Sequence, residues 1–414
     1  VRAVTASPAR ISALWFGINA VWGAILGVFL QSRVEELIPG DDVRAYAAIA
    51  AGGALTAAVV QVAAGFWSDR HVVARGSRLA FYTSGLALAA LALAGFFAAP
   101  TFGWLVVAFG ALQVGMNVAG GPYQAAIPDA LGPERSGRAS GWMSASSSAG
   151  SVAGLLIAAT LHGWAAAAAL LAALLVPAAI ALAHVRALPP AVPRAAALRI
   201  TAPMLTILVS RGAINVGFYT LLGFLFFFVR ETLHVAGART TTGILFLAFT
   251  LAGVAGAALA GRAADRYDKR VVIGCAAIAI AIAVGAFAAA PNLPVALVAA
   301  IASGCAWGAF FTADWAIAYA VLPRGAMAAA MGIWNLAAAI PQIVAPAITA
   351  PLVTALDARS AGLGPRAALA LVALEFVLGT LILWRLPRAA LQPAGTDDPA
   401  IRKPTASPQR EDRA

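Results

Sequence analysis

The chain has 414 residues, of which 62% are apolar and 11% charged, with a formal net charge of +11 at neutral pH. An average soluble domain carries about 25% charged residues, so this composition cannot furnish a water-facing surface, and a mean hydropathy of +0.87 points to the bilayer as solvent. The arginines fall in the breaks between apolar runs rather than in one patch, which argues against a nucleic-acid partner.

Taken in order, the first apolar run, Ile11 to Leu30, is too long for a signal-peptide core and reads as a membrane helix. Mostly apolar stretches of about 20 residues, the length that crosses a bilayer, then recur. They lie at 11–31, 45–66, 79–98, 103–126, 139–161, 164–185, 203–229, 241–262, 271–290, 294–319, 327–350 and 366–385. The alternation of a membrane strand is not seen. The expectation is an all-α polytopic membrane protein with twelve transmembrane helices in two six-helix halves. Residues 1–185 form the first half and 203–386 the second. Between them "RALPPAVPRAAALRITA" (186–202) reads as a linker, and the polar, Pro-rich stretch 387–414 as a disordered cytoplasmic tail.

Lys and Arg are retained on the cytoplasmic side of a membrane. With the first residue inside, seventeen basic residues fall in inner segments and six in outer ones. Both termini are therefore expected in the cytoplasm, in a bacterial-type inner membrane.

The halves resemble each other. A constant shift of 196 aligns Asn19 with Asn215, Gly27 with Gly223, Glu35 with Glu231, Gly65 with Gly261 and Asp69-Arg70 with Asp265-Arg266. Further along, a shift of 190 aligns Pro133 with Pro323, and one of 191 aligns Gly141 with Gly332. Duplicated halves of this kind build many secondary transporters, which hold their cargo near the midplane.

After the second helix comes "GFWSDRHVVARGSR", with Gly65, Asp69, Arg70, Arg75, Gly76 and Arg78; "GRAADRYDKR" repeats a weaker form in the second half. This loop resembles the motif of the major facilitator superfamily, in which glycine is followed by Asp-Arg and a basic cluster. Gly65 would let two helices approach closely, and Asp69 would accept hydrogen bonds at a facing helix N-terminus. The resemblance implies that Asp69, Arg70, Arg75 and Arg78, pairing across the cytoplasmic gap, latch an outward-open state. Asp129, Arg138, Asp265 and Arg266 join the same expected gate. "GPYQAAIPDALGPERSGRASGWMS" at the end of the fourth helix is similar to the sugar-transporter-like branch, related to the glycoside, pentoside and hexuronide symporters and to sucrose transporters.

An ionisable group in hydrocarbon costs several kcal/mol, about 2.5–3.5 on insertion scales, and those retained usually face a cavity or one another. Arg211 lies twelve residues after Arg199 and Asp314 ten before Arg324, roughly 18 and 15 Å at the helical rise. Their similar depth suggests an ion pair that opens when a proton or substrate binds. A fixed structural pair is the alternative. Gln113, Asn117 and Gln124 line one face of the fourth helix, and Asn19, Asn215 and Tyr219 are expected to turn inward as well. Trp307 and Phe311, with Trp22 and Tyr123, are candidates for stacking on a ring-shaped solute or, alternatively, packing residues. Asn335 and Glu375 are further polar candidates.

Cys275 and Cys305 lie in apolar runs without metal-ligand spacing and read as small core residues. His71, His162, His184 and His234 are dispersed, and the chain has no phosphate-binding loop. No cofactor, metal or enzyme activity is expected. The implied function is a secondary active transporter of a sugar-like or other small organic solute, with protons and the lipid bilayer as expected partners. Proton-antiport efflux of amphipathic compounds and a non-transporting scaffold or sensor are the alternatives.

Overall fold

A computed structural model describes residues 5–39, 42–131, 136–188 and 198–386. The tail from 387, the centre of the linker at 189–197 and Pro133 lie outside the described residues. Among the described residues twelve helices are long and apolar enough to cross a membrane. They are α1 Pro8–Leu37, α2 Ala48–Arg75, α3 Leu79–Phe97, α4 Phe102–Ala130, α5 Gly137–Thr160 and α6 Gly163–Ala187. The second six are α7 Ala202–Thr232, α8 Thr240–Arg266, α9 Lys269–Ala289, α10 Leu293–Val321, α11 Met327–Asp357 and α12 Leu363–Trp384.

Local chemistry sets where these helices begin. Ser7 caps α1, with Pro8 opening the helix. Thr101 accepts from the Trp104 N–H at 3.3 Å to start α4, and Thr201 does the same for Met204 at 3.3 Å in α7. Asn292 caps α10 through Val295 at 3.2 Å. Each side-chain oxygen satisfies a donor that the first turn leaves unpaired.

Several helices outrun the sequence expectation. The Ser-Asp-Arg segment is not a loop: α2 continues through Asp69 and Arg70 to Arg75. Nothing in "GFWSDRHVVAR" breaks a helix, and the first residue that does is Gly76, at φ 71°. Likewise α11 runs to Asp357 rather than ending near 350, its Pro341, Pro346 and Pro351 notwithstanding.

Helix pairing repeats between the halves. In the first, α1 packs on α5 and α6, α4 on α2 and α3, and α3 on α6. In the second, α7 packs on α11 and α12, α10 on α8 and α9, and α9 on α12. The halves meet through α2 on α11 and α5 on α8, with α4–α11 and α5–α10 beside them, again in matching pairs. Closest approach falls where side chains are absent: a Cβ on Gly154 would strike the Ala20 carbonyl of α1, and one on Gly308 the Gly253 carbonyl of α8. Such backbone proximity is how helices associate in lipid, where apolar side chains gain nothing by leaving the solvent.

Cys275 departs from its expected place in the core. It is exposed on α9, and Cys305 is only half-buried, because a helix in lipid turns apolar residues outward as readily as inward.

Candidate functional site

The basic end of the bundle is where the halves close. Asp69, near the end of α2, accepts hydrogen bonds from the backbone N–H of Ala328 at 3.2 Å and of Ala329 at 2.8 Å, at the start of α11. Asp265, near the end of α8, accepts from the N–H of Gly137 at 2.8 Å and of Arg138 at 2.9 Å, at the start of α5. A carboxylate at a helix N-terminus satisfies free donors and complements the helix dipole. Gly65 lies against Ala328 and Ala329, and Gly261 against Gly137 and Arg138, so each glycine lets its aspartate reach the facing helix.

The arginines of this region behave differently from the expectation. Arg78 is buried within its own half rather than bridging the gap, at 2.8 Å from Asp69 and 2.9 Å from Asp129, and donates to the Ser68 hydroxyl at 2.8 Å. Burial alone would push the Arg78 pKa down, but Asp129 and then Asp69 outweigh it and hold the guanidinium above the usual arginine range. Arg70 is exposed, with its guanidinium carbon 4.2 Å from the centre of the Phe66 ring. Arg75, Arg138 and Arg266 are exposed as well. The arginine beside Asp69 in sequence is thus not the one that engages its carboxylate: α2 remains helical there and leaves Arg70 exposed over Phe66.

Deeper in the membrane, the structure brings Arg211 of α7 and Asp314 of α10 into an ion pair, each only 4% exposed. The Arg211 guanidinium also lies 4.3 Å over the Trp334 ring of α11, a fully buried partner that the sequence reading missed. Arg211 Nε and Asp314 Oδ2 have no further hydrogen-bond partner. Burying charged groups with part of their polar capacity unused carries a desolvation cost.

The remaining candidates divide. Gln124 and Asn335 meet across the halves, Asn335 donating at 2.7 Å, and so bridge α4 and α11. Asn117 donates to the Gln113 carbonyl at 2.8 Å, and Asn215 to the Arg211 carbonyl at 2.9 Å. Asn19 donates to the Trp15 carbonyl at 2.8 Å. Tyr219 accepts from Gln342 of α11 at 2.8 Å. Tyr123 does not face an opening: it is fully buried and donates to the Ile11 carbonyl at 2.7 Å. Trp307 has one face taken by Phe218, stacked at 4.2 Å and 5°, while Phe311 lies beside it at 6.4 Å. Trp22 is half-buried on α1. Glu375 of α12 lies against Gly217 of α7, its Oε2 buried without a hydrogen-bond partner. Among the described residues no His, Cys, Asp and Glu cluster suits a metal ion.

Two matching sets of six helices, closed over a buried ion pair by reciprocal aspartate caps, define a membrane transporter built from a duplicated unit. Residues 12–238 and 212–410 each match the sequence model of the Major Facilitator Superfamily, and the chain belongs to that family. Its members bind small molecules in the bilayer and are transporters rather than enzymes. No curated protein sequence matches the chain. Among solved structures, a bacterial homologue of the iron transporter ferroportin in an outward-facing state is similar at 14% identity and TM-score 0.72, with 91% of this chain and 98% of that one covered. The human organic anion transporter MFSD10 is similar at 14% identity and TM-score 0.67, covering 91% and 98%. The proton:xylose symporter XylE bound to 6-bromo-6-deoxy-D-glucose is similar at 13% identity and TM-score 0.67, covering 92% and 94%. At these identities the likeness is one of fold.

Proposed function

We propose that this transporter moves a small organic solute by alternating access and is driven by a proton gradient, with Arg211 and Asp314 as the coupling pair. The observation that carries the proposal is their ion pair itself, a strongly buried pairing that joins α7 to α10. Protonation of Asp314 would release the Arg211 guanidinium to a solute's oxygen, and deprotonation would restore the pair. The Arg-rich end is assigned to the cytoplasm by charge bias. With that orientation, closure by Asp69 and Asp265 corresponds to an outward-open conformer, in which the Asp caps form the inner gate.

A sugar-like substrate is favoured by the loop resemblance described above and is in keeping with the similar fold of the xylose symporter. Efflux of an amphipathic compound is favoured by a different observation, the aromatic wall of Phe218, Trp307, Phe246 and Phe249. Proteoliposomes with an imposed pH gradient and a trapped pH dye separate the two by the direction of proton-coupled flux as sugars, organic anions and amphipathic cations are added. Asp314→Asn is expected to abolish gradient-driven movement while solute counterflow persists. Gradient-driven transport that survives in Asp314→Asn overturns the coupling role.

A further inference from the structure

The bundle carries a feature on its flank that transport chemistry does not use. A groove of about 470 Å³ runs between α2 and α11, lined by Ala58, Val59, Val62, Ala63 and Phe66 on one side and by Ala329 and Leu336 on the other. Leu198, just ahead of α7, also lines it. Both halves build it, so it exists in this shape only while the seam held by Asp69 is shut.

The stripe on α2 has a direction. Val59, Ala63, Phe66 and Arg70 follow at spacings of four, three and four, which places them on one helical face. Val59 is 60% and Phe66 42% exposed. The apolar part extends about 10 Å along the helix, and the stripe finishes in a cation at the basic end, Arg70 over the Phe66 ring. Among the described residues Arg70 has no carboxylate partner, because the carboxylate next to it, Asp69, is taken by Arg78 and by the two α11 amides. Arg199, the neighbour of Leu198, is exposed at the same end.

From this juxtaposition we infer that the α2–α11 groove is a binding site for one anionic phospholipid, whose acyl chain lies along Val59, Ala63 and Phe66 and whose phosphate meets Arg70 and Arg199. A hydrocarbon-facing cleft is filled by acyl chains in any case; the two exposed arginines make the site selective for a negative headgroup. Each basic residue near such a headgroup favours it by a factor of about five. Since the walls belong to different halves, the lipid favours the conformer closed at the basic end.

The test is native mass spectrometry of the full chain, stripped in detergent and titrated with phosphatidylglycerol or phosphatidylcholine of identical acyl chains. One phosphatidylglycerol is expected to be retained in preference to phosphatidylcholine. Arg70→Gln should reduce that preference about fivefold, and Arg70→Gln with Arg199→Gln should remove it. Ala63→Trp, which fills the groove, should weaken both lipids. Asp69→Asn, with Arg70 intact, should weaken phosphatidylglycerol by loosening the far wall. Thermal melting of each variant separates lost binding from lost folding. Equal retention of the two lipids, or an Arg70→Gln/Arg199→Gln protein that melts normally and keeps its preference, overturns the inference.

Discussion

Asp69 and Asp265 stand 196 residues apart and occupy the same position in the architecture: each lies near the end of a helix of one half and accepts two backbone N–H groups at the start of a helix in the other. The receiving pairs, Gly137-Arg138 and Ala328-Ala329, are themselves 191 residues apart, the shift already visible for Gly141 and Gly332. Closure at the basic end therefore rests on one device used twice.

Asp69→Asn should shift the protein away from the conformer closed at the basic end. Hydrogen bonds to a charged group contribute about 1.5–3 kcal/mol, so the closed-to-open ratio is expected to fall by roughly 10–100-fold. Spin labels on the basic ends of α2 and α11, read by pulsed electron resonance, report the change. Asp265→Asn should act in the same direction and less strongly, because Asp69 alone of the two is also engaged by Arg78.

Arg78→Gln is expected to cost about 3–5 kcal/mol of stability, since it leaves Asp69 and Asp129 without their buried counter-charge. Thermal unfolding in detergent measures it. If Arg78→Gln melts like the parent while Arg70→Gln does not, the assignment of the two arginines here is reversed.

Arg211 and Asp314 make a double-mutant cycle informative. Each single change, Arg211→Gln or Asp314→Asn, strands a buried charge and should destabilise the fold, whereas the double variant should recover most of the loss. Melting temperatures of the four proteins test this. A double variant as unstable as the sum of the singles would mean that the two residues do not act as a pair.

Gly256, Gly304 and Gly308, where α8 and α10 meet backbone to backbone, should tolerate no side chain. Gly308→Val places a branched side chain against the Gly253 carbonyl and is expected to abolish the folded protein, while Gly285→Val, which meets nothing within 4 Å, should express normally. Size-exclusion profiles of the two variants distinguish these outcomes.

Much of the fold was legible because hydrocarbon imposes a coarse rule: a segment that crosses must be long, apolar and helical. Arg211 and Asp314 stood out for the same reason, each being a charge in an apolar run at matching depth. Hydropathy marks the end of an apolar stretch and not the end of a helix, so it does not separate Arg78, which pairs within its own half, from arginines that could cross the gap. Because α2 continues to Arg75, Arg70 is carried on an exposed helical turn, and Arg78, just beyond the helix end, is the one that lies beside Asp69. Trp334 and Asn335 carried no periodic signal at all; they matter through what approaches them from other helices.

Composition, span length and the recurring shift between halves determined a duplicated helical membrane protein before any coordinate was known, since bilayer solvation acts on each segment separately. Which aspartate caps which helix, which arginine neutralises it and which indole lies under Arg211 were decided by tertiary structure alone. Those contacts depend on the rotation and depth of one helix against another, and in lipid that is set by backbone approach at small residues, a property of pairs of segments that no single segment encodes.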